Sequence, residues 1–163
     1  MPVRLEAGDP KVTVDVPATA GSAQGTLAYK PAALSNDQTK AADEAGLAPT
    51  NIAFELALQP ASMPAPKFEV TSSYLPQQVM GLPEAQLSLY RYDPAANVWQ
   101  ALDGCKTDTA VRKVSCTGSN AGLFMLAGPE PSTPSTLPLL AVGVAIAAMG
   151  AAATYWVLHH RTA

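Results

Sequence analysis

Few side chains in this sequence are of a type that does chemistry near neutral pH, and their spacing decides what chemistry is open to them. There are two cysteines, Cys105 and Cys116, two adjacent histidines, His159 and His160, and three aspartates, Asp93, Asp103 and Asp108, that fall near one another. The cysteines flank the polar stretch KTDTAVRKVS, so they can be buried thiols, half of a metal site, or a disulfide. Zinc is held by several Cys or His ligands together, and neither a further cysteine nor a histidine accompanies this pair before residue 159. The histidines follow a long apolar run, which suits interfacial or tail polar residues better than ligands. The aspartates have the oxygens a calcium ion takes, but aspartate is first of all a turn former, and that is the reading adopted. Ser119 has no histidine near it in sequence to act as a base. No phosphate-cradling glycine loop and no nucleophile elbow occurs. No enzyme, cofactor or metal is therefore expected. Tyr90, Tyr92 and Trp99 are close enough in sequence to form an aromatic group at one sheet edge, there for packing.

Charge sorts the function classes further. The chain has 163 residues and a net charge of −3. Residues 1–136 hold all thirteen acidic residues and nine of the ten basic ones, which leaves them more acidic than the whole. Phosphate neutralisation needs clustered Lys and Arg, so nucleic acid is excluded as a partner. Only 14% of residues are charged and fifteen are proline, a balance that suits an extracellular or lumenal β-module. Met1-Pro-Val-Arg-Leu-Glu-Ala-Gly-Asp-Pro has no apolar h-region. The expected alternatives are the C-terminal piece of a longer precursor or a tail-anchored chain.

The longest apolar run is LPLLAVGVAIAAMGAAATYWVL, residues 137–158, which carries no charge. As a helix, its twenty-two residues span about 33 Å at ~1.5 Å each, enough for a hydrocarbon core of ~30 Å. A helix apolar on every face is a membrane span sooner than part of a small domain's core. His159-His160-Arg161 follows the run and Glu130 is the nearest charge before it, so the positive-inside tendency puts the tail 159–163 in the cytoplasm and residues 1–136 outside. Tyr155 and Trp156 sit where an interfacial belt belongs. Gly143, Ala147, Gly150 and Ala151 make a small-residue face that lets helices approach closely in lipid. A GPI-anchor signal is the nearest competitor; the basic tail favours a retained helix.

Ahead of the span, PEPSTPST (129–136) reads as a Pro/Ser/Thr stalk that favours an extended rod and is a candidate for O-glycosylation. No Asn-x-Ser/Thr sequon occurs. Residues 10–128 read as short strands between Pro, Gly and Asn turns: 11–16, 26–30, 51–59, 67–72, 86–92, 97–102, 111–116 and 122–127. Ile52, Phe54, Leu56 and Leu58 give the clearest alternation. Residues 36–46 suit one short helix with Ser35 as its N-cap. Seven or eight antiparallel strands at this spacing predict an all-β sandwich, with 1–9 as an N-terminal extension. With the domain outside, Cys105 and Cys116 are expected to pair.

Residues 87–128, LSLYRYDPAANVWQALDGCKTDTAVRKVSCTGSNAGLFMLAG, resemble the GPS region that ends the GAIN domains of adhesion receptors and polycystin-type proteins. The shared order is a Tyr-rich strand, Trp99, Gly104-Cys105, Cys116, and a closing strand with Phe124 and Leu126. In that family a membrane helix follows directly. Self-cleaving members carry His-Leu-Ser/Thr before the last strand; here Ser119-Asn120-Ala121-Gly122-Leu123 stands in that interval, so the resemblance implies a non-cleaving relative. The expected role is a single-pass anchor that presents an extracellular β-sandwich to a protein partner at a cell-surface or ciliary membrane, such as a polycystin-type channel or a surface filament. The alternative is an accessory subunit whose helix packs within a membrane complex.

Overall fold

The computed structural model describes residues 3–7, 11–16, 26–59 and 67–131. The chain divides into two units, Met1–Pro131 and Ser132–Ala163. All described residues belong to the first. The span 137–158, the tail 159–163, and the residues Gly143, Ala147, Gly150, Ala151, Tyr155 and Trp156 lie outside the described residues. Among the described residues no helix is long and apolar enough to cross a membrane.

The described residues form ten strands, with one α-helix between the third and fourth: β1 (Val3–Ala7), β2 (Val12–Val16), β3 (Thr26–Pro31), α1 (Asn36–Glu44), β4 (Leu47–Gln59), β5 (Phe68–Ser73), β6 (Ser88–Asp93), β7 (Val98–Ala101), β8 (Asp103–Asp108), β9 (Lys113–Gly118) and β10 (Gly122–Pro129). They form two five-stranded sheets, ordered β1-β2-β5-β9-β8 and β3-β4-β10-β6-β7. Every pairing is antiparallel. The expected all-β sandwich is present, with two strands more than the sequence suggested.

Period-two alternation builds the core. Val12, Val14, Phe68, Val70, Val114 and Cys116 from the first sheet meet Ile52, Phe54, Leu56, Leu89, Phe124 and Leu126 from the second. Phe54 and Phe124 are register partners and stack with ring centroids 5.6 Å apart; Tyr29 tilts against Phe54 at 5.7 Å. On β9, Gly118 leaves room for Phe68, since a Cβ there would lie 2.6 Å from the ring.

β10 is buried on both faces, which explains its unbroken apolar run. Phe124 and Leu126 point into the sandwich, while Met125 and Ala127 join a second cluster with Ala41, Ala42, Leu47 and Trp99. That cluster seats α1 on the outer face of the second sheet. The helix begins as expected at Ser35: its hydroxyl accepts from the Gln38 N–H, and the Gln38 side chain accepts from the Ser35 N–H, a reciprocal capping box. Trp99 donates its indole N–H to the Gln38 carbonyl at 2.9 Å.

The β4–β10 ladder is interrupted. Met125 pairs with Ala53 but Ala127 pairs with Pro49, so three residues of β4 face Leu126. Thr50 fills the gap: its buried hydroxyl donates to the Leu126 carbonyl at 2.8 Å and accepts from the Ile52 N–H at 3.2 Å. Thr50→Val keeps the shape but strands two backbone groups. It is expected to cost about 1–3 kcal/mol, read as a lower urea midpoint at constant m.

Two boundaries differ from those expected. Residues 1–9 are more than an extension, since Val3–Ala7 pairs with β2 from Val3↔Val16 to Ala7↔Val12. The stalk loses its first residues to the sandwich: Pro129 ends β10, and the Glu130 N–H donates to the Gly46 carbonyl at 3.0 Å.

Candidate functional site

Cys105 and Cys116 are joined as a disulfide, with Cα atoms 4.1 Å apart. They do not flank a loop. Cys105 lies in β8 and Cys116 in β9, so most of the polar stretch between them is a hairpin. The register explains how they meet. Asp103 pairs with Thr117 and Lys106 with Ser115, leaving Gly104 and Cys105 together opposite Cys116. Gly104 has φ +60°, the left-handed conformation that glycine adopts without penalty and that a one-residue bulge needs. The Gly-Cys dipeptide is thus a bulge that turns the thiol toward its partner.

The three aspartates do not converge. Asp93 accepts from the Ala95 N–H at 3.0 Å and Asp108 from Ala110 at 3.0 Å and Val111 at 3.2 Å. Each caps the hairpin it opens, and those hairpins close through left-handed residues, Asn97 and Arg112. Among the described residues no group of three or more His, Cys, Asp or Glu could hold a metal ion. Tyr90, Tyr92 and Trp99 do assemble: the Tyr92 and Trp99 centroids are 5.1 Å apart, and all three pack in the cluster beneath α1. Their faces are occupied by the fold.

Among the described residues, a shallow cleft of about 130 Å³ lies where the two sheets meet beside the β9–β10 connection. Arg91 of β6, Gln100 of β7, Asp103 of β8, Thr117 of β9, and Ser119 and Asn120 beyond it line the cleft. Arg91 donates to the Gln100 side chain at 3.1 Å, and the Asn120 amide donates to the Ser119 hydroxyl at 3.3 Å. Ser119 therefore stands next to an amide, a group that takes up no proton. The volume is below the ~300–1,000 Å³ of small-molecule pockets. The cleft presents a cation, a carboxylate, hydroxyls and amides in a shallow dish. Sequence reading missed this site because its residues come from four strands, each at a solvent-facing position without periodic signal.

At the opposite end, Tyr74 is buried and donates its hydroxyl to Glu84 at 3.0 Å. Burial, then the Glu84 carboxylate, pushes its phenol up to about 12; burial also raises Tyr29 and Tyr90. A raised folded-state pKa means stability that is complete below the unfolded value of 10.0 and is lost as pH climbs through about 12. Tyr74→Phe is expected to cost about 0.5–1.5 kcal/mol at neutral pH. It should also flatten, without abolishing, the alkaline loss seen in denaturant midpoints across that window.

No family model, no curated protein and no solved structure matches the chain.

Proposed function

We propose that this chain is a single-pass membrane anchor whose β-sandwich stands on the non-cytoplasmic side and docks a protein partner. The disulfide carries the reading. A pair joined within a small β-domain suits an oxidising compartment, and the domain is followed by twenty-two uncharged residues, 137–158, with basic residues beyond them. Those two features agree on one topology, with the sandwich outside and the tail 159–163 in the cytoplasm.

The order of β6, Trp99, the bulged Gly104-Cys105, Cys116 and β10 supports a GAIN/GPS-like relative that is not cleaved. On that reading the polar cleft, set beside the interval where self-cleaving members carry their tripeptide, is where a channel subunit or surface filament docks. The second reading, an accessory subunit whose helix does the packing, is favoured by the small-residue face Gly143, Ala147, Gly150 and Ala151.

One pair of variants separates them. Full-length protein is recovered from native membranes in mild detergent after either Arg91→Glu in the cleft or replacement of 137–158 by a poly-Leu anchor. If the sandwich docks the partner, Arg91→Glu loses it and the anchor swap keeps it. The reverse pattern overturns the first reading in favour of the second. Absence of any stoichiometric partner for the unaltered chain overturns both.

A further inference from the structure

The shallow cleft holds two opposite charges that do not neutralise each other. Arg91 and Asp103 both line it, and among the described residues neither is in an ion pair. They belong to different sheets, β6 in one and β8 in the other, and stand too far apart to pair.

Arg91 is held in place by neutral contacts. It donates to the Gln100 side-chain oxygen at 3.1 Å, and Gln100 is its register partner across the β6–β7 hairpin. The Gln100 amide donates in turn to Asp93 at 3.3 Å, and the other Asp93 oxygen accepts from the Ala95 N–H at 3.0 Å. Asp93 thus reaches Arg91 only through an amide. On its other side the Arg91 stem passes Gly122, 3.9 Å from where a Cβ there would stand. The guanidinium is therefore ordered before anything docks, which lowers the entropy cost of a contact. Most of its planar fork of donors is left over, and that fork matches a carboxylate.

Asp103 is exposed at the start of β8, opposite Thr117 and just before the bulge at Gly104. Among the described residues no hydrogen bond engages its carboxylate. Thr117, Ser119 and Asn120 add two hydroxyls and an amide to the same cleft.

We propose that the cleft takes an extended segment of the partner that carries one acidic and one basic side chain on the same side. The acidic group meets Arg91 and the basic group meets Asp103. The proposal rests on the docking reading above and names the chemistry of the partner at that site. A segment of a single sign would set a like charge against one of the two ions. Both border one space of about 130 Å³, and salt screens charges only beyond ~8 Å at physiological ionic strength. A group that meets one ion therefore feels the other. Each contact is exposed and worth little alone; the pair acts by rejecting segments with the wrong charge pattern. In an extended chain residues two apart share a face, about 6.6 Å from one another, so acid and base separated by one residue is the expected pattern.

The test titrates full-length, isotope-labelled protein in detergent micelles with end-blocked Gly-Glu-Gly-Lys-Gly, Gly-Glu-Gly-Gln-Gly and Gly-Gln-Gly-Lys-Gly. The side-chain amide signals of Gln100 and Asn120 report on the cleft. The mixed-charge peptide is expected to bind about fivefold more tightly than either single-charge peptide. Asp103→Lys is expected to transfer the preference to the glutamate peptide, and Arg91→Glu to the lysine peptide. Glu55→Lys, the same change of charge at an exposed position of β4, leaves the order unchanged. Should a reversal unfold the domain, Arg91→Gln and Asp103→Asn serve in its place. Each is expected to remove the advantage of the mixed peptide over one single-charge peptide. A single-charge peptide that binds the unaltered protein as tightly as the mixed one overturns the proposal and leaves docking at the cleft standing. Signals that move for none of the peptides overturn it too. In that case loss of the partner from Arg91→Glu protein in native membranes keeps the docking reading, and retention overturns that reading as well.

Discussion

Phe124→Ala is expected to remove about 3–5 kcal/mol of stability, a large share of the ~5–15 kcal/mol that holds a domain of this kind. The ring is fully buried and stacks on Phe54 at 5.6 Å. Its strand, β10, is bonded on one side to β4 and on the other to β6. A strand held on both sides cannot shift to close the space the ring leaves, so the cost falls near the top of the range. Leu123, half-buried on the opposite face, provides the comparison: Leu123→Ala is expected to cost about 1 kcal/mol. Urea unfolding followed by Trp99 fluorescence measures both. A Phe124→Ala loss under about 1.5 kcal/mol would mean that the two sheets do not meet at this ring.

Opening the Cys105–Cys116 bond is the next largest effect. The cysteines are 11 residues apart, and closing a loop of that size restricts the unfolded chain by roughly 2–3 kcal/mol. For a domain of about 130 residues that is a fall in Tm of roughly 10 °C. The local consequence is sharper. β8 is an edge strand whose residues are all exposed or half-exposed, so few apolar contacts hold it in place once the bond is gone. Reduced protein should lose amide-exchange protection at Lys106 and Thr107 while β10 keeps its own. Oxidised and reduced samples are compared by urea titration at matched pH. A gap below about 1 kcal/mol would show that the pair does not staple the fold.

How much of this was legible depended on where each strand buries its side chains. β4 and β2 alternate cleanly because one face meets the core, and β10 announced itself by an apolar run that only a strand covered on both faces needs. Ser35 with Gln38 three residues on was a complete start signal for α1. DGCKTD carries no strand signal because it buries no side chain fully; the place of β8 comes from the β9 hairpin and the disulfide, neither of which leaves a periodic trace. β1 is faint in the sequence because five residues with Arg4 and Glu6 among them make a weak pattern. Trp99 was noticed for its place in the GPS-like order, whereas its contacts give it a local task, fastening α1 to β7. The cleft has no signal in the sequence because it depends on the β6–β7 and β8–β9 hairpins, which belong to different sheets, packing side by side.

The last strand of the sandwich is also the middle strand of its sheet. β10 pairs along its length with β4, reaching back from Pro129 to Leu47, and without it the second sheet is only the two hairpins β3-β4 and β6-β7. A chain made from its N-terminus therefore holds two unfinished half-sheets until residues 122–129 arrive, with the inner edges of both open to wrong partners. Folding of the second sheet must wait for residues 122–129, and whatever guards those open edges has to stay until that moment.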